Sequence, residues 1–151
     1  MRVFSKGKYT YTLGMPGFLY RSITGLDNFE VRKKWLFEIE VRHTGLLQEG
    51  DMLYIIYSRV GDIPERILYS QVDISSNDWE AWKATPPKEL LRPELEWEGA
   101  NLEQIPSMRG EMGIRVNQLR DLAIFKDANG KLYLLYTGAG EQVIEIATLN
   151  K

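Results

Sequence analysis

The sequence contains no cysteine. That excludes disulfides and thiolate metal sites, and it fits a reducing compartment, so a cytoplasmic location is expected. It has a single histidine, His43. One chain therefore cannot build a multi-histidine metal centre, and no metal or cofactor is expected. No apolar run approaches the length needed to cross a membrane as a helix, so a soluble globular protein without membrane association is expected. No apolar stretch follows the polar, basic opening Met1-Arg2-Val3-Phe4-Ser5-Lys6-Gly7-Lys8, so no leader peptide is expected. Charge of one sign is not in excess: 19 Lys and Arg against 21 Asp and Glu give a net charge of −2. The charges are interspersed without a basic stripe, which argues against nucleic acid as a partner. Catalytic signatures of other chemistries are missing too. Gly138-Ala139-Gly140 lacks the third glycine and following helix of a phosphate loop, and there is no Gly-x-Ser-x-Gly elbow.

What the chain does have is a segment that occurs twice. Arg42-His43-Thr44-Gly45-Leu46-Leu47 leads into Gly50-Asp51-Met52-Leu53-Tyr54-Ile55-Ile56-Tyr57. Arg120-Asp121-Leu122-Ala123-Ile124-Phe125 leads into Asn129-Gly130-Lys131-Leu132-Tyr133-Leu134-Leu135-Tyr136. Each copy reads as an Arg plus a polar residue, a short apolar strand, a tight turn and a strand ending in Tyr. A third strand follows each, Arg66 to Val72 in the first copy and Val143 to Leu149 in the second. Repetition of one antiparallel unit marks a radial or stacked β architecture. Such folds gather the first residues of each unit around a shared centre.

Residues 6–31 read as a third, degenerate unit, with Tyr9 to Leu13 and Phe18 to Ser22 as strands. Its innermost strand is expected to be missing, because the chain begins at the turn. Lys34 to Val41 reads as another short strand. Asp78 to Trp82 reads as an outer-strand piece, and Pro86-Pro87 excludes regular structure there. Residues 94–119 form a long polar loop, and loops of that length are usually functional or disordered. The expected organisation is one domain over 1–151, with blade-like units at 6–31, 42–74 and 120–150. Tyr54, Tyr57, Tyr133 and Tyr136 are read first as strand-forming repeat positions, with sugar stacking as the alternative.

These segments resemble the five-bladed β-propeller glycoside hydrolases, in particular the family 43-like group. The carriers are Arg120 to Phe125, similar to that family's Arg-Asp-Pro-Ala-apolar-Phe blade opening with Leu122 in place of the proline, and the run Leu132 to Glu141. Tyr57 to Ile67 and Trp97-Glu98-Gly99-Ala100 add to it. The resemblance implies an all-β partial propeller of two full antiparallel blades plus a partial third, like the C-terminal half of such a protein. It also implies that the early blades, which carry key acidic residues in the family, are absent. Open blade edges favour association, so a homo-oligomer that completes the array is expected.

Glycoside hydrolysis needs one carboxylic acid and one carboxylate. Asp121 is the candidate central carboxylate, with Arg120 beside it to hold it ionised; a structural Arg-Asp pair is the alternative. His43 occupies the equivalent place in the earlier unit and could bond a sugar hydroxyl or serve as a structural residue. Arg42 matches Arg120, with inter-blade salt bridging as the alternative. Glu98 is the second candidate catalytic carboxyl; with Trp97 it makes a stacking and hydroxyl-binding pair, or else an exposed charge beside a core Trp. Arg109 and Arg115 could reach the cavity from the long loop. Asp62, Glu65 and Arg66 read as a solvated rim cluster, and Glu141 has the same ambiguity. Three functions follow. One is a non-catalytic carbohydrate-binding or assembly module derived from a hydrolase propeller. The second is a glycoside hydrolase whose site is completed across a homo-oligomer. The third is a structural or interaction protein without sugar chemistry.

Overall fold

Alternating apolar and polar side chains separated by Gly-containing turns give the chain its strands. The computed structural model describes residues 1–150. Strands β1 (Arg2–Lys6), β2 (Tyr9–Gly14), β3 (Phe18–Ser22) and β4 (Glu30–Val31) form a first antiparallel sheet in that order. A second sheet holds β5 (Val41–Glu49), β6 (Met52–Arg59), β7 (Ile67–Asp73) and β8 (Lys88–Leu91). A third holds β9 (Arg120–Lys126), β10 (Leu132–Gly138) and β11 (Val143–Leu149). The described residues contain no α-helix.

Three expectations are corrected. The first unit does not lack its innermost strand: β1 pairs with β2 from Arg2↔Leu13 to Lys6↔Tyr9. Its one core side chain is Phe4, beside an exposed Val3 and otherwise polar residues, and so the strand reads as a polar terminus. Residues 34–40 form no strand. Leu36 and Phe37 from that run instead plug the first core. The run is held by buried Arg32, which donates to the carbonyls of Lys34, Trp79, Glu80 and Trp82. Asp78 to Trp82 is not an outer strand either. It is a single 3-10 turn over Trp79–Ala81, capped by the Asp78 carboxylate accepting from the Glu80 N–H at 3.1 Å. The outer strand of the second sheet, β8, begins directly after Pro86-Pro87.

The second sheet lies between the other two and serves two cores. Toward the first sheet, Leu53, Ile55, Tyr57 and Leu68 pack with Phe4, Tyr11 and Leu13. Phe4 stacks on Tyr11 at 5.0 Å between centroids, and Tyr11 meets Trp82 at the same separation. Toward the third sheet, Ile56 and Ile67 pack with Leu122, Leu134 and Tyr136. The leading strands β1, β5 and β9 stand side by side, with β5 packed against both others. Arg2 Nε donates to the Thr44 carbonyl at 2.7 Å across the first junction. At the second, Gly45 sits so close to β9 that an added Cβ would lie 2.9 Å from Leu122 Cδ1. This alignment brings the beginnings of β5 and β9 together.

Candidate functional site

β5 and β9 each open on a buried Arg followed by a residue in the left-handed region. His43 and Asp121 both have φ 49°. Each lies where the ladder slips register, at Arg42/Gly45 in one sheet and opposite Leu135/Thr137 in the other. A bulge of this kind turns a side chain away from the pleat. Holding a non-glycine residue there costs on the order of 1 kcal/mol. The two re-aimed side chains meet: His43 Nε2 lies 3.0 Å from Asp121 Oδ1. Both are partly exposed, at 40% and 29% of their side-chain surface. The His43 N–H points to Met15 Sδ at 3.3 Å, and Thr137 Oγ1 lies 3.5 Å from Asp121 Oδ2.

Beneath this pair lies a buried quartet of charges. Glu65, fully buried, places Oε1 3.1 Å from Arg42 Nε and Oε2 3.1 Å from Arg120 Nε. Glu141 Oε1 accepts from Arg120 Nη1 at 2.6 Å and faces Arg42 Nη2 at 3.7 Å. The two guanidinium groups also donate to the Met108 carbonyl, at 3.0 and 3.4 Å, and Arg120 to that of Gly110 at 3.3 Å. Two cations and two anions leave the platform neutral, which is the condition for burying it. The pair above it is tuned by its surroundings. Burial works against ionisation of Asp121, but the hydrogen bond from His43 and the charges of His43, Arg42 and Arg120 outweigh it, holding the carboxyl below the usual aspartate range. Burial pushes the Glu65 carboxyl up, with Ser58, Arg42 and Arg120 pulling the other way.

The structure thus gathers four of the residues singled out from the sequence: Arg42, His43, Arg120 and Asp121. It does not gather the rest. Glu98 is buried on the opposite face of β10 from Thr137. Its Oε2 accepts the N–H groups of Glu94 and Leu95 at 2.8 and 2.9 Å, and its Oε1 accepts the Tyr136 hydroxyl at 2.8 Å. These bonds pin the start of the long loop to β10. Trp97 beside it is 49% exposed. Arg115 is exposed, and exposed Arg109 donates to the Ile39 carbonyl. The long loop reaches the Arg pair through backbone carbonyls, with Met108 and Gly110 as the contacts. Glu65 corrects the reading of a solvated rim cluster, since it is the counter-ion at the heart of the quartet. Two buried arginines at repeat positions demand such a partner, and that demand was the available signal.

Comparisons with known proteins place this geometry. No protein-family model matches the chain. An uncharacterized protein of Acanthamoeba polyphaga mimivirus is 40% identical over 166 aligned residues, covering all of this chain and 46% of that protein. The alpha-L-arabinanase of Cellvibrio cellulosa, solved with arabinohexaose, superposes with a TM-score of 0.55 at 16% identity, over 99% of this chain and 47% of that one. The GH43 protein BlXynB of Bacillus licheniformis gives a TM-score of 0.44 at 14% identity, over 97% and 28%. The chain spans about half the length of the viral protein and of the arabinanase. The all-β architecture expected from the Arg-led repeats is found, as three antiparallel sheets, and the chain is similar in architecture to about half of an arabinanase.

Proposed function

We propose that the chain is a carbohydrate-binding module on a glycoside hydrolase-like partial propeller, each sheet being one blade, with the His43–Asp121 pair as its polar binding head. The observation that carries this is the unequal fate of the carboxylates around the arginines. Glu65 has no exposed surface and a guanidinium on each oxygen. Glu141 is committed to Arg120 and to the Met112 N–H. Asp121, ionised and partly open, is the one of the three placed to accept from a hydroxyl. Hydrolysis requires two carboxyl groups flanking the scissile bond, and this cluster leaves only Asp121 open to a ligand. Titration calorimetry with arabinohexaose and a panel of other oligosaccharides tests the reading. Saturable binding without turnover is expected, weakened about tenfold or more by Asp121→Asn, in line with loss of a charge-assisted hydrogen bond. No binding to any sugar of the panel would sink it.

A second reading is favoured by the partly open Asp121 carboxylate, held ionised as a glycosidase nucleophile must be. Here the second carboxyl comes from another chain and the assembly is a hydrolase. Turnover of a chromogenic glycoside that disappears in Asp121→Asn, with solution mass unchanged, would select this reading over the first.

A further inference from the structure

We propose that Glu145, Tyr136 and Glu98 form a proton-operated latch: a protonated Glu145 donates to the Tyr136 hydroxyl, Tyr136 donates to Glu98, and Glu98 holds the start of the long loop on β10. The latch does not depend on sugar binding. Glu145 stands where the repeat carries a leucine. Tyr57 and Tyr136 are equivalent repeat positions, and their cross-strand partners are Leu68 and Glu145. Leu68 is a core residue at 3% exposure; Glu145, in the equivalent place, is 7% exposed. Gly138 makes room for it, since an added Cβ there would lie 2.6 Å from Glu145 Oε1. A carboxyl in a leucine's place needs a counter-charge or a proton. The titratable groups that act on Glu145 are Tyr136 from β10 and Glu98 from the long loop. No Lys, Arg or His among the described residues joins them.

The hydrogen bonds favour the proton. Neither carboxyl oxygen of Glu145 has a hydrogen-bond partner. Glu98 is saturated: Oε2 accepts two backbone N–H groups, and Oε1 takes the single proton of the Tyr136 hydroxyl at 2.8 Å. Tyr136 has nothing left to donate, but its oxygen still accepts. An ionised Glu145 would be a buried anion without a donor, beside a second carboxylate. A protonated Glu145 completes a chain in which each proton has one acceptor. Burial first, and then the Glu98 charge, raise the Glu145 carboxyl against the pull of Tyr136, whose own hydroxyl is pushed up and keeps its proton. A raised carboxyl stays protonated through the range where ordinary glutamates ionise, so the latch is closed there and opens as pH rises through the Glu145 midpoint. Ionised Glu145 then competes with Glu98 for the one Tyr136 proton, and residues 94–98 loosen as a local unit. The latch adjoins the charged platform. The Glu98 carbonyl accepts the Ala139 N–H at 2.9 Å, and Glu141, two residues on, holds Arg120 at 2.6 Å.

Carboxyl-carbon NMR on protein isotope-labelled at its glutamate side chains, with Trp97 emission followed over the same pH range, tests the latch. Trp97 neighbours Glu98 and is half-exposed, so it reports on the held segment. Subtracting the emission of Trp97→Phe isolates its signal from the other tryptophans. The carboxyl resonance lost in Glu145→Gln is expected to titrate above the ordinary value of 4.5. The Trp97 signal is expected to change with the same midpoint while far-ultraviolet circular dichroism stays constant. Glu145→Gln, whose amide donates at every pH, and Glu145→Leu, which copies the second sheet, are each expected to remove the Trp97 transition from that range. A Glu145 carboxyl that titrates at or below 4.5, a Trp97 signal that does not follow it, a loss of circular dichroism at the same midpoint, or a transition retained in both variants would each overturn the proposal.

Discussion

Glu65 shows how a single residue sets the terms for the site above it. Its carboxylate divides between Arg42 and Arg120 at equal distances and is fully buried. A guanidinium cannot shed its proton, so removing the anion leaves two buried cations to share Glu141 alone. Glu65→Gln is expected to destabilise the fold by about 3–5 kcal/mol, measured as a lower urea midpoint with little change in slope. The pairing of Arg42 with Arg120, and of His43 with Asp121, was legible from their repeat positions. The role of Glu65 was not, because it is delivered by the connection from β6 to β7. Such turns have no periodicity from which a buried charge could be told from a solvated one. Glu98 misled in the other direction: a carboxylate beside a Trp and a Gly looked like a ligand pair. The structure spends that carboxylate on two backbone amides and the Tyr136 hydroxyl.

At the scale of elements, the strands with strong alternation were legible, and those with one core residue were not. β6 and β10 carry Leu-x-Ile/Leu-x-Tyr toward their neighbours and end at Gly-containing turns, so pattern and position agree. β1 has only Phe4 as a core side chain, too little to stand out from a polar terminus. Trp35-Leu36-Phe37 has the composition of a strand, yet Leu36 and Phe37 are drawn into the first core, and tertiary packing decides against propensity. The junction of β5 with β9 depends on Gly45. A methyl there would meet Leu122 Cδ1 at 2.9 Å and Ile124 Cγ1 at 3.2 Å. Gly45→Ala is expected to cost about 1–3 kcal/mol through overpacking, seen as a lower melting temperature by calorimetry. Because the site lies two residues away, the same change is expected to disturb the His43–Asp121 pair, read as a shift of the His43 ring resonances.

Across the whole molecule, the buried acids make stability a function of pH on two sides. The Glu145 carboxyl is raised from its ordinary value of 4.5, first by burial and then by the nearby Glu98 charge, with the Tyr136 hydroxyl acting against both. Glu65 is raised by burial as well. A carboxyl that is raised in the folded state contributes stability below its unfolded value and loses it as pH rises through the folded one. Asp121 is depressed, so its contribution is present above its unfolded value of 3.8 and lost as pH falls through the folded one. Melting temperature against pH is therefore expected to fall on both the acidic and the alkaline side of a weakly acidic maximum. Glu145→Gln should flatten the alkaline limb; a limb of unchanged slope would remove Glu145 as its cause. The all-β class, the repeat and the propeller likeness could be read from the sequence.

The matching backbone angles of His43 and Asp121 carry a consequence for how this site can change. Because the repeat supplies the same strained socket twice, what is inherited is the socket and not the group it holds. An imidazole in one and a carboxylate in the other form a donor–acceptor couple whose direction is set by side chains alone. Exchanging the two residues would reverse that couple while leaving the scaffold beneath it in place. Such duplicated sockets let a polar pair be rewritten one group at a time, with the Arg–Glu platform unaltered.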